Sequence, residues 1–144
     1  MPKDDHDGWR EQRSLAAAAH AESLERRRRA ETAEARALVA SFVEEATRRG
    51  IRPRRLRATA YSGRASYRTR LRGWLLLRTG PLAVDTEGNF YVLTVPPSFL
   101  ARIVGASPAP SDPPLAVGRG ARDGESMSLA LLLRLRLDGG DDWP

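Results

Sequence analysis

The feature that most constrains this chain is a single change of hydrophobic period at Gly50-Ile51-Arg52-Pro53. Before it, apolar residues recur every three or four positions; after it, they alternate with polar ones. Such a switch places a helix ahead of a sheet. Gly50 can adopt the left-handed conformation that closes a helix, Ile51 can pack back over the last turn, and Pro53 prevents continuation.

Upstream, the spacing predicts a helix from about Trp9 to Arg49. Ala16 to Ala19 and many Glu and Arg residues are good helix formers. Glu22–Arg26, Glu25–Arg29, Glu44–Arg48 and Glu45–Arg49 are each four apart in the favourable acid-first order. Ala35, Leu38, Val39, Phe42, Val43 and Ala46 form one apolar stripe, the mark of a helix packed on a core. Before Leu38 the only large aliphatics are Leu15 and Leu24, too few to bury much. Residues 1–35 therefore read as a charged helical extension, either solvated or a partner-docking arm, with its order left open. Arg26 to Arg29 point around more than a full turn, so this run is a solvated helix surface and not a patch.

Downstream, two hairpins are expected. In the first, Leu56, Ala58 and Ala60 alternate with Arg55, Arg57 and Thr59; Thr69, Leu71, Gly73 and Leu75 then oppose Arg68, Arg70, Arg72 and Trp74. Placing both apolar sets on one face puts Arg57 opposite Arg72 and Thr59 opposite Arg70, with Ser62 to Tyr67 as the loop. The second joins Leu82–Val84 to Phe90–Val95 through Asp85-Thr86-Glu87-Gly88-Asn89. Pro96-Pro97 ends that strand. Ser98 to Gly105 reads as a short helix capped by Ser98, although Ile103-Val104 leaves an extended reading open. Leu115–Val117 reads as a fifth strand, and Ser126 to about Leu137 as a last helix capped by Ser126 and stopped by Gly139-Gly140. Its six leucines are too many for a narrow stripe, so it is buried or pairs with another apolar surface. The expected fold class is α+β: a small antiparallel sheet of about four or five strands packed by an N-terminal and a C-terminal helix. Residues 36–138 form this single domain, and residues 139–144 an acidic tail.

Charge is distributed unevenly. Arg48 to Arg78 holds eleven arginines and no acidic residue, whereas the rest of the chain has thirteen basic and eighteen acidic residues. Twenty-three of the twenty-four basic residues are arginine, which GC-rich codon usage can explain; it does not explain the clustering. The alternation puts Arg55, Arg57, Arg68, Arg70 and Arg72 on one face of the first hairpin, with Tyr61 and Trp74 interleaved. Arginine forks suit phosphate, and aromatic rings suit stacked bases. The competing reading is neutralisation within the chain by carboxylates such as Glu44 and Glu45.

A weaker candidate is the segment from Gly118 to Ser126, in which Gly118, Arg119, Gly120, Arg122 and Ser126 could hold phosphate ahead of a helix. Its spacing departs from G-x-G-x-x-G at Asp123, and the lysine of a P-loop is missing, so a turn with a helix cap is the simpler account. Chemistry is otherwise sparse. The chain has no cysteine, its histidines (His6 and His20) lie in the extension, and Lys3 is its one lysine. Asp85/Glu87 and Asp123/Glu125 fall in glycine-containing turns. No catalytic residue, metal or cofactor is assigned, and an enzyme is not expected. No apolar run nears the ~20 residues needed to span a bilayer, and the start lacks a secretory pattern. A cytoplasmic protein without a membrane partner is expected.

These features lead to a non-enzymatic binding module whose arginine hairpin faces an anionic partner, nucleic acid, a ribonucleoprotein or an acidic protein. The alternative is a protein-protein adaptor or homo-oligomer that uses the C-terminal helix and the N-terminal arm.

Overall fold

The computed structural model describes residues 2–118 and 126–143. Helix α1 runs unbroken from Pro2 to Arg48. Its second half lays Ala35, Val39, Phe42 and Ala46 into the core, as the stripe requires. Its first half leaves Leu15 and Leu24 exposed. Gly50 ends it at φ 75°: its N–H reaches Thr47 O at 3.1 Å, and Ile51 N–H reaches Ala46 O at 2.9 Å. This pair of bonds satisfies two carbonyls that a helix end leaves open, and folds Ile51 back into the core.

Five strands follow: β1 (Arg54–Ala60), β2 (Ser66–Leu75), β3 (Leu82–Asp85), β4 (Phe90–Val92) and β5 (Thr94–Val95). They form one sheet in the order β4-β3-β2-β1-β5. The pairings are antiparallel except that of β1 with β5, which is parallel, so the sheet is mixed. Only Leu93 separates β4 from β5, yet these strands stand at opposite edges. Leu93 donates its N–H to Pro81 O (2.7 Å), just ahead of β3, and accepts at its carbonyl from Thr59 N on β1 (2.8 Å). One extended segment thereby ties both edges together, and the sheet closes on itself as a small barrel.

Side chains on the inside of this curl, Leu56, Ala83, Tyr91 and Leu93, make one buried cluster. Ala60 and Tyr67 make another with Ala101 of α2 (Phe99–Val104). Ser98 caps α2 as expected, accepting from Ala101 N at 3.2 Å. On the outside, Trp74, Leu76, Val84 and Phe90 pack against α1 and against Leu129, Leu132 and Leu133 of α3 (Leu129–Gly139). Gly73 permits the β2–β3 crossing, because a Cβ there would lie 2.0 Å from Val84 O and 2.6 Å from Asp85 Cα. Asp85 is buried to close its own turn: one carboxylate oxygen accepts from Glu87 N and Asn89 N, both at 2.9 Å.

The expected register of the first hairpin is corrected. Arg57 lies opposite Arg68 and Thr59 opposite Ser66, while Arg55 lies opposite Arg72. Between these pairs, Leu56 alone faces the stretch Thr69–Leu71, so β2 carries a bulge. Thr69 holds it: its hydroxyl donates to Leu56 O and accepts from Leu71 N at 3.1 Å. The loop is accordingly Tyr61–Ala65 and closes through Ala60 N to Ala65 O (2.9 Å).

The C-terminal helix also begins later than expected. Ser126–Ser128 is strand β7, paired antiparallel with β6 (Ala116–Gly118) in a separate two-stranded ribbon. That pairing holds Ser126 extended, so Ser128 becomes the cap, accepting from Leu131 N at 3.2 Å. The strand expected at Leu115–Val117 thus belongs to this ribbon and not to the main sheet.

Candidate anion-binding face

The barrel positions the arginines by strand alternation. Inward-facing Leu56, Ala58 and Ala60 on β1, and Tyr67, Thr69 and Leu71 on β2, leave Arg55, Arg57, Arg68, Arg70 and Arg72 pointing outward, and all five are exposed. The register sets Arg55 against Arg72 and Arg57 against Arg68. Like charges directly opposite each other on one face are destabilising.

Their hydrogen bonds go to neutral acceptors. Arg55 Nη1 donates to Thr69 O (3.1 Å), Arg57 Nε to Ser66 Oγ (2.8 Å) and Arg68 Nη2 to Ile103 O (3.3 Å). Among the described residues, no carboxylate lies within 4.0 Å of any of the five. Neutralisation is confined to the start of the basic segment. Glu45 binds Arg48 and Arg49, which hold its carboxyl down to about 2. Asp138 lies 3.7 Å from Arg49, and Asp141 pairs with Arg52 at 2.8 Å, which lowers the Asp141 pKa. Asp138 and the acidic tail therefore hold Arg49, Arg52 and Arg54 and leave the five outward arginines of the hairpin without a carboxylate partner among the described residues.

The structure brings five of the seven proposed contact residues onto one surface. Tyr61 stands beside them, exposed at the start of the hairpin loop. Trp74 does not belong and is corrected here. It continues the outward alternation of β2, but that end of the sheet lies beneath α1. It is 2 % exposed, meets the Phe42 ring edge-on at 5.7 Å and donates Nε1–H to Ile51 O at 2.9 Å. In the weaker phosphate-loop candidate, Gly118 pairs with Ser126 across the ribbon, and Ser126 caps no helix. Arg119, Gly120 and Arg122 lie outside the described residues.

Sequence reasoning missed one surface beside the arginines. Helix α2 exposes Phe99, Leu100, Ile103 and Val104, and only its Ala101 is buried. It is fixed to β2 by Arg68: its side chain bonds Ile103 O, and its carbonyl accepts from Ala106 N at 2.7 Å. The available signal was length, since six residues with one alanine facing inward cannot bury four large apolar side chains.

Comparison with known protein families, curated proteins and solved structures finds no match.

Proposed function

We propose that this protein is a binding module whose arginine face engages the phosphate backbone of a nucleic acid. The observation that carries the reading is the pair of opposed arginines, Arg55 with Arg72 and Arg57 with Arg68, without a neighbouring carboxylate among the described residues. Like-charge pairing costs folding free energy, and a polyanion laid across the face would offset it. Guanidinium forks aimed outward from a rigid barrel suit phosphate oxygens, and exposed Tyr61 supplies a ring for an unpaired base. Contacts of this kind read backbone and not sequence, so binding should be tolerant of sequence.

Fluorescence anisotropy with duplex and single-stranded probes tests the reading. Affinity should fall with salt, with log K dropping by about 0.9 per log salt for each duplex phosphate contacted. The combined Arg68→Gln, Arg70→Gln and Arg72→Gln variant should flatten that slope by about 2–3. Absence of binding at low salt would remove the proposal.

A second reading, a protein-protein adaptor, draws on the exposed apolar side chains of α2. The C-terminal helix suits it less, because Leu129, Leu132 and Leu133 are spent on the chain's own core and only Leu131 and Leu135 remain exposed. Light scattering across a concentration series separates the two, since self-association without nucleic-acid binding would favour the adaptor.

A further inference from the structure

The barrel has a seam. Strand β5 pairs with only the last two residues of β1, Thr59 and Ala60. Among the described residues, no strand lies beside the other half of that edge, from Arg54 to Arg57. Thr59 N–H points across this edge to Leu93 O, and strand alternation aims the N–H groups of Arg55 and Arg57 the same way. A cavity of about 370 Å³ lies in the gap, within the range of small-molecule sites. Its floor is apolar, made by Leu56, Leu75, Pro81 and Leu93. Its rim is cationic, with Arg54, Arg55 and Arg57 on one side and Arg136 of α3 on the other.

Arg136 is the unusual group. It is 6 % exposed, yet among the described residues no carboxylate stands within 4.0 Å of it. Its Nε donates to Leu75 O (2.8 Å) and its Nη1 to Gly140 O (3.0 Å), and its guanidinium lies 4.3 Å from the centre of the Trp143 ring. These contacts fix the fork but do not cancel the charge. A guanidinium cannot shed its proton to escape burial, so its desolvation, offset only in part by the nearby Asp141 charge, is a standing cost. Asp141 itself is paired with Arg52, another arginine of the lining.

We propose that this seam binds a small organic anion, a carboxylate or phosphate head on an apolar body about the size of a naphthalene ring. The head would sit between Arg136 and the Arg54–Arg57 edge, and the body would cover the leucine and proline floor. Charge-assisted bonds hold the head, while burial of the body selects against bare inorganic anions. Arg55 and Arg57 border both this cavity and the outer face, whereas Arg68, Arg70 and Arg72 do not line it, so substitutions at those three separate the site from the nucleic-acid reading.

The test is calorimetric titration of the full chain with 2-naphthoate and 2-naphthyl phosphate, with 2-naphthamide and inorganic phosphate as controls. Amide NMR shifts at Gly73 and Gly80 and the Trp143 indole signal locate the binding. Both naphthyl anions should bind and move these signals, and their ratio distinguishes a carboxylate from a phosphate preference. Arg136→Gln should weaken both by about tenfold or more, the loss of a charge-assisted bond worth about 1.4 kcal/mol. Because Arg136 also ties α3 to β2, Arg54→Gln and the cavity-filling Leu75→Trp serve as exposed-side variants, and both should weaken binding. The combined Arg68, Arg70 and Arg72 variant should bind the naphthyl anions normally even if nucleic-acid binding is lost. Equal affinity for 2-naphthamide would overturn the anion site, and equal affinity for inorganic phosphate would overturn the apolar floor. No binding at millimolar ligand, or shifts elsewhere than at the seam, would overturn both.

Discussion

Trp74 offers the sharpest test of how charge and core are divided in this sheet. If it is a core residue, replacing it should cost stability and leave anion binding alone. Trp74→Phe keeps a ring against Phe42 but removes the donor to Ile51 O, which stays in a residue only 3 % exposed. Stranding a buried acceptor costs about 1–3 kcal/mol. Taking about 2 kcal/mol with a urea slope of about 2 kcal/mol/M, the unfolding midpoint should fall by about 1 M with the slope unchanged. Trp74→Ala adds the cavity and the lost aromatic contact, for a total of about 3–5 kcal/mol. Urea titration followed by circular dichroism, with methyl NMR signals of the core as a second probe, measures both losses. Nucleic-acid affinity of the folded Phe variant should stay within about twofold. A stacked base is worth about 1–3 kcal/mol. A tenfold loss of affinity at unchanged stability would therefore refute the placement of Trp74 in the core.

Other consequences can be checked as directly. Gly73→Ala should be among the most damaging single-methyl changes in the chain, because the added Cβ meets Val84 and Asp85 backbone, which cannot move without parting β2 from β3; a loss of more than about 3 kcal/mol in the same urea titration is expected, above the ordinary range for point changes. Acidification should release the C-terminal clasp. Asp141 and Glu45 have folded-state pKa values below their ordinary ones, so their stabilising effect is present above the unfolded values and is lost as pH falls through the folded ones. Emission or indole NMR of Trp143 should therefore change as pH falls below about 4, the ordinary aspartate value, and Asp141→Asn should show the same change already at neutral pH. Deleting residues 1–34 should leave the unfolding free energy from the same titration within about 0.5 kcal/mol of the full chain, since the buried stripe of α1 begins at Ala35; a large loss would give the extension a structural role.

Much of this architecture follows from local chemistry that the chain states plainly. Gly50, Ile51 and Pro53 stop α1 where glycine geometry and proline sterics say they must. The stripe from Ala35 to Ala46 fixes which face of α1 is buried. Ser98 caps a short helix, and Asp85 to Asn89 close a turn.

The arginine face survived an incorrect register for a physical reason. Arg57 pairs with Arg68 and not Arg72, a displacement of four residues. A strand's faces repeat every two residues, so an even displacement changes the partners and keeps every side chain on its own side. What selected the observed register was the tighter Tyr61–Ala65 loop and the Thr69 bulge, and neither has a hydrophobic signature.

Tertiary structure decided the rest, because period-2 alternation says which residues share a face but not what covers each part of it. Trp74 and Arg72 point the same way from β2, and one is buried because α1 and α3 lie over that end of the sheet alone. Closure of the barrel through Leu93 depends on a parallel pairing between strands far apart in the chain, which carries no local signal. The seam beside Arg136 exists only because β5 is too short to fill it. Sequence alone determined that this protein would carry an arginine surface; packing determined how far that surface extends and where it turns inward.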